Sequence, residues 1–139
     1  MEELIFTIYS ENLGTDLNLL VKSIRKFGGK FAYAPIWVIT PQQKSEKIKK
    51  TMVQLKKKHI NIINFKKTAD NQFPFLNFAE GAAKAENLSM FKSELFVWLN
   101  SNSLILREPI ELLIDPNKSI GYRPVHHVNI GSEFSLILM

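Results

Sequence analysis

The chain has 139 residues, no cysteine, and 18 Lys plus Arg against 13 Asp plus Glu, a net charge of +5. The missing cysteines exclude a disulfide scaffold, a thiolate zinc site and a cysteine nucleophile, and a composition of 45% apolar and 22% charged residues excludes long disorder. The Met1-Glu2-Glu3 start lacks the basic opening of a signal peptide, and the longest apolar stretch, Phe31 to Ile39, is too short to span a bilayer and contains Pro35. One cytoplasmic domain over residues 1–139, with no membrane partner, is the expectation.

Leu4 to Tyr9 is a β-branched and aromatic run that predicts a buried strand. After a polar turn, Leu17, Leu20, Val21, Ile24 and Phe27 recur at helical spacing, with Thr15 or Asp16 to cap the helix and Gly28-Gly29 to stop it. Ala34 to Ile39 is a second strand, closed by Thr40-Pro41. Ile48, Met52, Leu55 and His59 outline a second helix, and Ile60 to Phe65 a third strand. Beyond a polar loop, Lys66 to Pro74, a third helix is marked by Phe75, Phe78, Ala79 and Ala82. Its small residues would let it approach a neighbour closely. The unbroken Leu95-Phe96-Val97-Trp98-Leu99 predicts a strand covered on both faces, near the centre of a parallel sheet. Leu104 to Leu106 and Val125 to Ile130 read as further short strands; Ile110 to Ile114 is ambiguous. The strand–helix alternation predicts an α/β fold with helices on both faces of a mainly parallel sheet. Ligands in such sheets bind beyond the carboxyl ends of the strands.

Four features bear on chemistry. Nine lysines and one acid lie between Gln42 and Lys67. They read as the solvated face of a helix rather than a nucleic-acid surface, because arginines and interleaved exposed aromatics are scarce there. The turn Ser10-Glu11-Asn12-Leu13-Gly14 has one glycine and no phosphate-loop pattern. It reads equally as an ordinary turn or as a place where Ser10 and Asn12 contact a nucleotide. Asp70, in the Lys66 to Pro74 loop, is the expected pocket acid. His126 and His127 are adjacent, so on a strand they point to opposite faces and form a poor chelating pair.

The most informative segment runs from Val97 to Pro109, where an apolar strand ends in Asn100-Ser101-Asn102 and a short apolar stretch leaves it. It resembles the region around the D-x-D motif of the GT-A glycosyltransferases, the nucleotide-diphospho-sugar transferase fold. Phe78-Ala79-Glu80-Gly81-Ala82-Ala83 looks like the helix that precedes that motif, and Asn129-Ile130-Gly131-Ser132 resembles a later segment that faces the sugar. The resemblance implies a three-layer α/β/α sandwich with a Rossmann-like sheet. It implies Ser10, Asn12 and Asp70 at the nucleotide, Asn100 and Asn102 at the diphosphate and metal position, and His126, His127, Asn129 and Gly131 toward the sugar. The donor would be a UDP- or GDP-linked sugar, with weak or absent transfer.

In that family two carboxylates hold a divalent cation that bridges the phosphates. Asn100 and Asn102 offer neutral amides instead, so Mn²⁺ or Mg²⁺ is expected only weakly bound. The chain matches the front part of such a domain. Its closing Ser135-Leu136-Ile137-Leu138-Met139 reads as a last strand, an edge that pairs with a second copy, or the point of a truncation. The alternative function is a non-catalytic assembly domain that forms a homo-oligomer through this segment.

Overall fold

The computed structural model describes residues 2–42, 51, 53–55, 60–67, 75–90, 92–115, 117 and 118. Four strands, β1 (Glu2–Tyr9), β2 (Ile36–Pro41), β3 (Ile60–Phe65) and β4 (Ser93–Asn100), form one sheet in the order β3-β2-β1-β4. Every pair is parallel, with Phe6 opposite both Ile36 and Val97, and Ile36 opposite Ile60. Parallel neighbours need crossovers, and the two described helices supply cover for the two faces. The chain is thus an α/β protein with a Rossmann-like parallel sheet between helical layers.

Strand periodicity divides the core into two halves. Leu4, Phe6 and Ile8 of β1 point to one face, where they meet Leu17, Leu20, Val21 and Ile24 of α1 (Thr15–Phe27). Ile36, Val38 and Val97 join them, as does Leu55, which lies in a helical stretch. Tyr9, Ile39 and Phe65 point to the other face and meet Ala85 of α2 (Leu76–Ser89). Among the described residues no helix is long and apolar enough to cross a membrane.

The helices depart from the pattern in three places. α1 starts after Gly14, which has no side chain to cap it, rather than at a Thr15 or Asp16 cap. Ser10 Oγ instead accepts the Leu13 N–H at 3.2 Å and turns the chain into the helix. Phe27, the last residue of the expected apolar stripe, is exposed because the helix ends there. Gly29 then takes a φ of +57°, which suits glycine alone, and Arg25 donates to the carbonyls of Ala32 and Ala34 at 2.6 and 2.9 Å, tying down the turn into β2.

α2 buries Gly81, Ala85 and Ser89, with Phe78 half-buried on the same stripe. Phe75 and Ala79 were expected on this face but are exposed, Phe75 at 76%. Phe75 precedes the first turn, and Ala79 lies outside the Phe78–Gly81–Ala85–Ser89 line. At Gly81 the helix lies close against the sheet: a Cβ there would stand 3.1 Å from Ile39 Cγ2 and 3.4 Å from the Phe65 and Tyr9 rings. Gly81→Leu is therefore expected to destabilise the protein by about 1–3 kcal/mol, the usual cost of overpacking. Thermal melting measures it, and an unchanged melting temperature would mean that α2 can move off the sheet freely.

The strand region holds two corrections and one shift. β4 was expected near the centre, but it is one of the two edge strands of the described sheet, with β3 at the other edge and β1 and β2 central. Its apolar run has another cause: Leu95 and Leu99 pack on the α1-side core while Phe96 and Trp98 pack on the other, each face only partly covered. Leu104 to Leu106 is no strand. The Ile105 N–H donates to Ser23 Oγ of α1 at 3.0 Å, so this backbone straps across a helix instead of joining a ladder. Ile105 packs inward, while Leu104 and Leu106 face outward. Finally, β2 runs two residues later than expected, because Thr40 and Pro41 pair with Asn64 and Phe65 and the Gln42 N–H reaches the Phe65 carbonyl.

Candidate functional site

In the order β3-β2-β1-β4 the chain goes outward from β1 on one side, then returns to place β4 on the other. The connection direction reverses between β1 and β4, and such reversal points open a crevice at the carboxyl ends of the strands. A cleft of about 310 Å³ lies there, with Tyr9, Ser10, Glu11 and Asn12 on one wall and Asn100 and Ser101 on the other. Gly14, Asp16 and Leu17 at the start of α1, and Phe78 of α2, complete it. The Ser101 N–H donates to the Tyr9 carbonyl at 3.3 Å and the Ser10 N–H to that of Ile39 at 3.0 Å. These bonds carry the order of the ladder into the rim.

Each wall has a local cause. Leu13 sits in the left-handed region at a φ of +48°, an unfavourable place for leucine. Its buried side chain in the α1-side core and the bond to Ser10 hold it there. That conformation leaves Asn12 exposed at the mouth while Ser10 is buried at the base. On the opposite wall the Ser103 N–H donates to the Asn100 carbonyl at 3.0 Å, closing a tight turn after β4.

Beneath the cleft is an aromatic cluster. The Tyr9 ring is 2% exposed and lies 4.0 Å from the Phe78 ring, 6.2 Å from Trp98 and 6.4 Å from Phe65, centroid to centroid. Its hydroxyl donates to Glu11 Oε1 at 3.1 Å, and Lys67 Nζ donates to the same oxygen at 3.4 Å. Burial pushes the Tyr9 phenol well above its ordinary range, and the adjacent Glu11 carboxylate pushes it further. The phenol consequently keeps its proton and remains a donor through neutral and mildly alkaline pH.

Ser10, Asn12 and Asn100, expected at the site from sequence, come together at this cleft. Asn102 is exposed in the turn beyond it and is not part of its lining. Asp70, His126, His127, Asn129 and Gly131 lie outside the described residues, as do Ile48, Met52, His59, most of the lysine run, Val125 to Ile130 and the closing apolar segment. Tyr9, Glu11, Phe78 and Lys67 are additions. The only sequence signal for them is that Tyr9 ends β1 and Glu11 stands two residues on, in the turn that follows.

The donors present do not suit a resident divalent cation. Among the described residues no three acidic or histidine side chains gather in one place. Asn100 and Asn12 supply neutral amides, Glu11 already accepts from Tyr9 and Lys67, and Asp16 is the one further carboxylate in the lining. Hard cations take their affinity from anionic oxygens. A larger cavity of about 800 Å³, lined by Trp37, Asn61, Ile63, Leu88 and Lys92, lies toward the amino ends of β2 and β3. That is the end of a parallel sheet that ligands avoid, so the smaller cleft is the candidate site.

No family model matches the sequence. No curated protein matches it. Among solved structures the chain is similar to S. aureus TarS: the 1–349 form aligns at 13% identity over 78% of this chain and 30% of that one, with a TM-score of 0.50. A second S. aureus TarS structure aligns at 13% identity over 78% of this chain and 18% of that one, with a TM-score of 0.49. The chain spans under a third of the length of either. TarS is a glycosyltransferase, and at this identity the likeness concerns the fold.

Proposed function

We propose that the chain is a glycosyltransferase-like domain that binds a nucleotide-diphospho-sugar, UDP- or GDP-linked, in the cleft between β1 and β4. The observation that carries this reading is the convergence of Ser10, Asn12 and Asn100 where the strand order of the described sheet reverses. Asn12 presents an amide to the base or ribose, and buried Ser10 shapes the turn that holds it. Asn100, at the end of β4, stands at the diphosphate. A volume of about 310 Å³ is at the small end for ligand pockets, enough for a nucleoside with the sugar reaching outward.

In glycosyl transfer the bond between the anomeric carbon and the diphosphate oxygen breaks, and an acceptor oxygen forms a new bond to that carbon. The nucleoside diphosphate leaves with the electron pair, and the acceptor loses a proton. The resemblance assigns His126, His127, Asn129 and Gly131 to the sugar side of this event, with Asp70 at the nucleotide. Mn²⁺ or Mg²⁺ at Asn100 would be weakly held. Calorimetric titration with UDP, GDP and their sugars tests the reading. The expected result is saturable binding of one base series with a Kd of roughly 1 µM to 1 mM. No heat from any of these ligands, with or without Mn²⁺, would sink it.

A further inference from the structure

Resting on the nucleotide-sugar reading, we propose that Lys67 takes the place of a divalent cation in this cleft and that the nucleoside diphosphate binds without metal. A diphosphate brings concentrated negative charge, which something must offset. The walls next to Asn100 offer neutral groups: its own amide, Ser101 and Asn12. Asp16, in the first turn of α1, is set against the positive end of that helix. Glu11 is set against Lys67.

The placement of Lys67 is specific. It follows β3 by two residues, and the Gln42 N–H, bonded to the Phe65 carbonyl at 2.7 Å, fastens the base of its loop to the end of β2. From there the side chain reaches past β2 to Glu11, which lines the cleft. Glu11 is held in turn by the Tyr9 hydroxyl, whose ring is locked against Phe78. This chain of contacts holds the ammonium group against Glu11, a lining residue, with Lys67 itself just outside the lining. Among the described residues one of its three donors goes to Glu11, which leaves two to offer phosphate oxygens. The ion pair is about half exposed on both sides, so it adds little to stability and is readily shared with a second anion.

The test is binding of UDP, GDP, uridine, guanosine and inorganic pyrophosphate to the full chain, in EDTA and in excess Mn²⁺, for wild type, Lys67→Ala and Lys67→Arg. Lys67→Ala is expected to weaken the preferred diphosphate about tenfold, the scale of a charge-assisted contact, and to leave the matching nucleoside unchanged. Lys67→Arg should keep most of the affinity. A merely structural lysine would move nucleoside and diphosphate together. Wild-type diphosphate affinity should be the same within about twofold in EDTA and Mn²⁺, since the two carboxylates of the lining, Glu11 and Asp16, are set against Lys67 and the start of α1 and Asn100 is neutral. Unchanged diphosphate binding in Lys67→Ala, or strong enhancement by Mn²⁺, would overturn the proposal. If pyrophosphate binds through Lys67 but no nucleotide does, the anion site stands and the nucleotide reading falls. If wild type binds neither, both fall.

Discussion

Phe6→Ala is expected to destabilise the protein by about 3–5 kcal/mol, the range for truncating a large buried aromatic. Phe6 is 0% exposed and lies on β1, a central strand of the described sheet. Its register partners are Ile36 on one side and Val97 on the other, and above it lies the α1 stripe of Leu17, Leu20 and Ile24. Collapse into the hole would require both neighbouring strands and a helix to shift together. A domain of this size has about 5–15 kcal/mol in total, so the variant should lose a large part of its stability. Urea unfolding checks this through a lower midpoint at an unchanged slope. A loss below about 1 kcal/mol would mean that the α1-side core is far looser than its burial indicates.

The second large effect concerns the cleft. Asn100→Asp with Asn102→Asp is expected to raise Mn²⁺ affinity about tenfold or more, because each change converts a neutral oxygen donor into an anionic one. Most of the gain should come from Asn100→Asp alone, since Asn100 lines the cleft and Asn102 does not. Electron paramagnetic resonance of free Mn²⁺ reads the affinity directly. Equal affinity in wild type and double variant would show that the turn after β4 has no relation to a cation position.

How much of this was legible in the sequence depended on the kind of signal. β3 was readable to its exact ends, and the α1 stripe nearly so, because strand and helix periodicities leave a direct mark on residue order. The general place of the cleft was readable too, since the carboxyl-end rule needs only the strand order along the chain. Pairing order was not: β4 looks central by composition, yet its two faces are covered by different partners, each in part. Leu104 to Leu106 misled for a related reason, as the Ser23 hydroxyl of α1 satisfies the Ile105 N–H in place of a neighbouring strand. The Tyr9–Glu11–Lys67 chain joins residues from two strand ends, and Lys67 is one lysine among many in its region. Nothing local distinguishes it.

The parallel pairing of β1 on both sides has a consequence for how the protein is made. Leu4 finds Leu95 only after nearly all the described chain has been synthesised, whereas its other neighbour, β2, emerges much sooner. In the interval one flank of β1, whose Leu4, Phe6 and Ile8 belong to the buried core, is open to any extended segment, its own or another molecule's. Such long-range pairing slows folding, and it makes the growing chain more prone to aggregate than the finished one.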